Sequence, residues 1–286
     1  MTVSARSDVV RSVHAPSIGL LAQIGVLMAL DATTGLGVAG WLAGLAYGAA
    51  TWALLIRALQ HPDVVGWGPA DTVTLARGTL VGAVTALVAD SFFGSVPVAL
   101  LIALAALALA LDGVDGQVAR RTGTCSRLGA RFDMETDSAL VVVLSVFVAA
   151  TLGWWVLAIG VFRYVFAAAI WVWPWLRAPL PPRLSRKTVA ATQGVALVVA
   201  GAGLLPAVLA TVLLGAVAAL LVWSFGRDII WLRWARDRPA SATSTLPRSV
   251  GRSLHPDPAL LTHSVSAHPG PAHPVPARSG MGGSTA

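Results

Sequence analysis

Eight apolar stretches divide this chain, and no other feature restricts its fold as strongly. They cover residues 17–30, 36–59, 73–89, 94–111, 139–157, 158–175, 189–205 and 207–231. A helix needs roughly 20 apolar residues to cross a bilayer core. Lipid offers no partner to backbone N–H and C=O groups, so each stretch must satisfy its own, as a helix does. Apolar residues make up 56% of the 286, which places the chain in the membrane class. The expected fold is all-α: a polytopic transmembrane helical bundle with a six-helix core from Val73 onward and two additional N-terminal helices. The first stretch is short for a span. The fifth and sixth abut near Gly153 with almost no loop.

Basic residues set an orientation. Arg6 and Arg11 precede the first stretch, and Arg57 closes the second. Arg120, Arg121, Arg127 and Arg131 separate the fourth from the fifth. Arg177, Arg183, Arg186 and Lys187 separate the sixth from the seventh, and Arg227, Arg233, Arg236 and Arg238 close the last. The turns near Asp31, Ser91, Gly153 and Pro206 carry no basic residue. Positive charge stays on the cytosolic side, so a multi-pass protein of the cytoplasmic membrane is expected, with both termini cytosolic. The net charge of +7 fits cytosolic loops facing anionic lipid headgroups. Nothing in the sequence resembles a nucleic-acid motif. Cys125 is the only cysteine, which excludes an intramolecular disulfide. Residues 1–16 are polar and read as a cytosolic N-terminus without a cleavable signal.

The expected organisation is the N-terminus at 1–16, two added helices at 17–59, a core at 70–238 and a cytosolic tail at 239–286. The tail is rich in Pro, Ser, His, Ala and Gly and reads as disordered. Its histidines read as solvated rather than as metal ligands. Gly35, Gly37 and Gly40 match G-x-G-x-x-G, but they open an apolar stretch and follow no strand, so a dinucleotide site fails its context. Gly40, Gly44 and Gly48 recur every four residues, a spacing that lets membrane helices approach closely.

Acids are scarce, yet five fall between Asp112 and Asp137. The fixed positions read D-x2-D-G-x2-A-R-x8-G-x3-D-x3-D, from Asp112, Asp115, Gly116, Ala119 and Arg120 to Gly129, Asp133 and Asp137. Asp112 and Asp115 are three apart, and Asp133 and Asp137 four apart, so on helices each pair shares a face. Glu135 points elsewhere. Carboxylates gathered this way repel unless cations sit among them, and oxygen ligands select hard ions such as Mg2+, which bridge carboxylates to phosphates. Gly116 and Gly129 leave room for a ligand, Ala119 keeps the face open, and Arg120 offers a fork for a phosphate oxygen. A divalent-cation transporter also places acids in membranes. These acids, however, are expected at a cytosolic helix end rather than at mid-bilayer.

The string resembles the signature of the CDP-alcohol phosphatidyltransferases, with every fixed position present, and the resemblance covers about residues 70–238. It points most closely to the phosphatidylglycerophosphate and phosphatidylinositol phosphate synthases. It implies an integral membrane enzyme that displaces CMP from CDP-diacylglycerol with the hydroxyl of a small alcohol. By position, Asp112, Asp115, Asp133 and Asp137 would hold two ions of Mg2+ or Mn2+, and Asp137 would also be the general base. Gly116, Ala119, Arg120, Ser126 and Gly129 would meet the CDP lipid, as would Asp71 and Thr74, where family members often carry an Asn-x-x-Thr-like segment. Members that use phosphorylated polyols place basic residues near the acceptor, which singles out Arg163, Arg183, Arg186 and Lys187. A glycerol or inositol phosphate acceptor is therefore expected, with a lipid or uncharged alcohol as the alternative. Membrane lipids and a second copy of the chain are the other partners expected.

Overall fold

The computed structural model describes residues 3–59, 69–122, 127–173 and 184–236. For some helical residues, including 3–16, 114–120 and 184–187, only the backbone is described. The described residues form eight α-helices and no strand: α1 (Val3–Thr34), α2 (Val38–Leu59), α3 (Pro69–Asp90), α4 (Val98–Thr122), α5 (Arg127–Leu152), α6 (Leu157–Val172), α7 (Leu184–Gly201) and α8 (Ala207–Arg236). They lie within one compact unit, Met1–Arg238. The tail expected at 239–286 lies outside the described residues.

Six helices carry segments long and apolar enough to cross a membrane: Ser17–Thr34, Val38–Arg57, Asp71–Asp90, Arg131–Leu152, Trp154–Val172 and Ala207–Trp234. All eight expected stretches form helices, and the six long enough to span include both added N-terminal helices. The first stretch qualifies because α1 continues past Leu30 to Thr34. It also begins at Val3, so the N-terminal segment is continuous with the span. In α4 and α7 the apolar parts are shorter, Val98–Gly113 and Thr188–Gly201. Each of these helices continues into polar sequence, α4 into the aspartate motif and α7 back toward Arg186 and Lys187, so one helix serves both lipid and site.

The boundary between α5 and α6 lies earlier than the apolar pattern indicates. Gly153 adopts φ +103°, a conformation that favours glycine, and ends α5. A single 3-10 turn, Trp154–Val156, then leads into α6.

Helix α3 is the centre of the bundle and packs against α1, α2, α4 and α5. More than half of its spanning segment is inside the protein. Val81, Ala83, Val84, Ala86, Leu87 and Val88 are all buried, so the helix is covered on more than one side, as expected for a helix apolar all round. The glycine stripe of α2 makes this packing close. A Cβ on Gly44 would lie 2.6 Å from Leu27 of α1 and 3.2 Å from Ala86 of α3, and one on Gly40 would lie 3.1 Å from the Ala86 carbonyl.

Helices α5 and α6 meet at Gly160 in the same manner. A Cβ there would lie 2.8 Å from the Ser145 hydroxyl and 2.9 Å from the Val142 Cα. Backbone cannot yield as a side chain can, so Gly160→Ala should destabilise by about 1–3 kcal/mol. Gly215→Ala, where nothing lies within 4 Å, should be neutral or slightly stabilising. Thermal unfolding in detergent micelles compares the two, and equal behaviour would refute the close α5–α6 contact.

Candidate active site

The site is built on α3, α4 and α5. Pro69 opens α3 with its φ already set for a helix, and Asp71 lies in the first turn, where the helix dipole favours an acid. Asp71, Thr74 and Arg77 follow at three-residue spacing and are all buried. Arg77 is the largest fully buried side chain among the described residues, 1% exposed. Its Nη1 pairs with the Asp112 carboxylate of α4. Its Nη2 lies 2.7 Å from Asp133 Oδ1 of α5 and donates to the Asp133 carbonyl at 2.9 Å. One guanidinium therefore ties three helices together at the aspartate motif.

Exposure differs sharply across this clamp. Asp112 and Asp133 are 42% and 37% exposed, whereas Arg77 is sealed. The carboxylates thus turn one side to the buried cation and keep another open to a ligand. Arg77 is one cation against two carboxylates, so the Asp112–Asp133 pair keeps a net negative charge on its open side.

Asp137 stands one turn beyond Asp133 on α5 and lines a second space. This cavity, about 190 Å3, lies among α5, α6, α7 and α8, with Arg163, Gln193, Ser224 and Asp228 also on its wall. Gln193 donates to the Ile159 carbonyl at 3.0 Å. Glu135, two residues from both Asp133 and Asp137, pairs with Arg163 at 3.1 Å. The charge in the apolar run of α6 thus has its counter-ion on the helix that carries the motif.

The structure brings Asp112 and Asp133 together at Arg77 and carries Asp137 to the cavity with Arg163. Asp115, Gly116, Ala119 and Arg120 follow Asp112 on α4, and Gly129 lies in the first turn of α5. The side chains of Asp115 and Arg120 are outside the described residues, as are Ser126 and Arg183 entirely. Arg186 and Lys187 occupy the first turn of α7, backbone only.

Among the described residues no three acidic, His or Cys side chains group as a metal site. The chemistry of the donors nevertheless suits a hard divalent ion. Asp112 and Asp133 already converge on one cationic group, and both offer open carboxylate oxygens.

Two residues of this region were not singled out in the sequence. Arg77 follows the Asp71–Thr74 segment and interrupts an apolar stretch, which was its signal. Asp228 interrupts the last stretch in the same way. It is 5% exposed and faces the cavity that contains Asp137.

The chain matches the family model for CDP-alcohol phosphatidyltransferases over residues 67–224. A comparison with curated proteins and one with solved structures returned no match. The matched segment is more than half of the chain and contains the whole aspartate motif, and the chain belongs to this family. Its members are phosphotransferases of phospholipid synthesis that move a phosphatidyl group from a CDP-alcohol to an acceptor.

Arg77→Gln should leave Asp112 and Asp133 without their common buried cation. The carboxylates left behind are partly open to water, so the loss should be that of charge-assisted hydrogen bonds, about 1.5–3 kcal/mol. Chemical or thermal unfolding of the detergent-solubilised protein measures this. Arg77→Lys should recover only part of the loss, because an ammonium cannot bridge both partners as a planar fork does. Parental stability in Arg77→Gln would show that the clamp does not hold the helices.

Proposed function

We propose that the chain transfers the phosphatidyl group of CDP-diacylglycerol to a phosphorylated polyol, glycerol 3-phosphate or an inositol phosphate, and releases CMP. The observation that carries this reading is the position of Asp137. It faces a cavity of small-molecule size, while one turn away Asp133 shares Arg77 with Asp112. A carboxylate so placed stands between a phosphate-binding motif and an acceptor chamber.

The CDP lipid would lie at the motif, with Gly116, Arg120 and Ser126 at the nucleotide and Asp71 and Thr74 contributing from α3. Asp112, Asp115, Asp133 and Asp137 would hold two ions of Mg2+ or Mn2+. Bound there, divalent ions supply electrophilic stabilisation of the pyrophosphate oxygens. Arg77 fixes the orientation of two of those ligands before anything binds. Asp137 accepts the proton of the acceptor hydroxyl. The oxygen then attacks the phosphorus that bears the diacylglycerol. The bond from that phosphorus to the bridging pyrophosphate oxygen breaks, and CMP departs with the electron pair. The proton on Asp137 is lost to solvent.

Arg163 supports the phosphorylated acceptor. It lines the cavity and is held there by Glu135. Arg183, Arg186 and Lys187, in and beside the first turn of α7, add positive charge on the expected cytosolic side. A cytosolic site in the cytoplasmic membrane lets soluble acceptor and CMP exchange while both lipids stay in the bilayer.

The test is CMP release from labelled CDP-diacylglycerol by the purified protein, with acceptors and divalent ions varied in turn. Asp112→Asn should abolish metal-dependent release. Asp137→Asn should bind CDP-diacylglycerol yet lose turnover by about 10²-fold or more, the usual contribution of a positioned base. Turnover like the parent's would remove Asp137 from that role.

Arg163→Ala bears on the acceptor. A charge-assisted contact is typically worth about 1.5–3 kcal/mol, so the acceptor KM should rise by about tenfold or more. The KM for CDP-diacylglycerol should change much less. Steady-state kinetics with each substrate varied separate the cases. A preference for an uncharged or lipid alcohol would overturn the phosphorylated-polyol reading.

A further inference from the structure

Helix α2 lies outside the segment that defines the family, which begins at residue 67. It nevertheless reaches α5. Tyr47, Thr51 and Leu55 recur every four residues and share a face of α2. Leu55 packs against Phe132 of α5, and both are buried. The Tyr47 hydroxyl hydrogen-bonds to the side chains of Thr51 and Thr136, and Thr136 is buried on α5. Arg77 is near enough for its charge to act on the same hydroxyl.

The direction of these bonds follows from counting protons. Thr136 donates to the Phe132 carbonyl at 2.9 Å, so toward Tyr47 its oxygen can only accept. Tyr47 gives its one proton to Thr136, and Thr51 gives its own to Tyr47. A chain of hydroxyls therefore runs from α2 to the α5 backbone with each proton used once. A buried network in which every member is satisfied is rigid.

The two α5 residues that α2 holds each directly precede a motif acid. Phe132 and Thr136 are four apart on one face, and Asp133 and Asp137 are four apart on the neighbouring face, about 100° around the helix. Helix α2 thus grips α5 at two points, one apolar and one polar, beside the acids. Arg77 holds Asp133 from α3. Among the described residues Asp137 makes no ion pair, so its aim depends on how α5 is turned.

We infer that Tyr47 is a positioning residue for the transfer reaction: through Thr136 it sets the rotation of α5 and with it the aim of Asp133 and Asp137. This inference rests on the phosphatidyl-transfer reading, in which Asp137 takes the acceptor proton. It assigns part of the catalytic geometry to a helix that the family segment does not include. Small errors of placement at a reacting centre are costly in rate, about 10²-fold for 1 Å. Loss of one hydroxyl, with the ring and Leu55 left in place, is a milder disturbance.

The experiment compares Tyr47→Phe, Thr136→Val and the double variant in CMP release and in amide hydrogen exchange of the detergent-solubilised protein. Each single variant should lose about three- to tenfold in kcat, the worth of one hydrogen bond. The KM for CDP-diacylglycerol and for the acceptor should stay within about twofold. The double variant should fall no further than Thr136→Val alone, because both changes break the same contact. Exchange across residues 133–138 should quicken several-fold in Tyr47→Phe while α7 and α8 keep the parental rate. Thr85→Val removes the same kind of helix back-bond, to the Val81 carbonyl at 2.7 Å, away from the site, and should behave as the parent. Parental kcat in Tyr47→Phe would overturn the inference, as would additive losses in the double variant. Faster exchange in every helix would make Tyr47 a support of the whole bundle and overturn it too. If Tyr47→Phe fails to insert or fold, Thr136→Ser and Thr136→Val decide: the variant that keeps the hydroxyl should stay within about twofold of the parent, and equal losses in both would overturn the inference. CMP release by the parent leaves the transferase reading standing in each of these cases, whereas no CMP release with any acceptor removes both.

Discussion

The buried guanidinium of Arg77 is the contact on which the site depends. An arginine this deep in an apolar bundle is stable only with its charge balanced and its N–H groups engaged. Asp112 and Asp133 do both, from two different helices. The requirement runs in both directions. The acids need a cation to tolerate one another, and the cation needs acids to tolerate burial. Helices α3, α4 and α5 are thereby fixed to each other where nucleotide chemistry requires rigid placement, before any substrate arrives.

The membrane imposes the second constraint. The motif acids cannot lie in lipid, yet they must lie on helices anchored in it. Helix α4 meets this by ending its apolar part at Gly113 and continuing as a polar helix to Thr122. Helix α5 does the reverse, with Asp133 and Asp137 preceding a long apolar run. Asp112 and Asp133 therefore occur near helix ends that Arg77 ties together. Membrane insertion and site assembly are thus parts of one arrangement.

Much of this was legible in the sequence because it is local. The apolar stretches give the helices, the i+3 and i+4 spacings place acids on common faces, and the offset of Glu135 from Asp133 and Asp137 sends it to a different partner. The glycine spacing of α2 anticipates its close packing. Arg77 was not legible in the same way, because its partners lie 35 and 56 residues away and no local pattern encodes them. The same holds for Asp228, whose meaning comes from a cavity shared by four helices. Where α5 ends was legible only as a neighbourhood, near Gly153. Apolar residues run on both sides of Gly153, and only its positive φ marks the break.

The glycine stripe of α2 has a consequence for modularity. The segment that defines the family begins just before α3 and stops within α8, so neither of its ends is a boundary of the folded object. In this chain α2 lies so close to α1 and α3 that a Cβ on Gly40 or Gly44 would crowd Leu27 and Ala86. The helix that carries Arg77 is therefore supported from behind by sequence that the family does not define. Changes in that outer pair would reach the centre of the enzyme through α3 and, where Leu55 of α2 meets Phe132, through α5, so the accessory helices can diverge in their lipid-facing residues more freely than in the row of hydrogens along their inner edge.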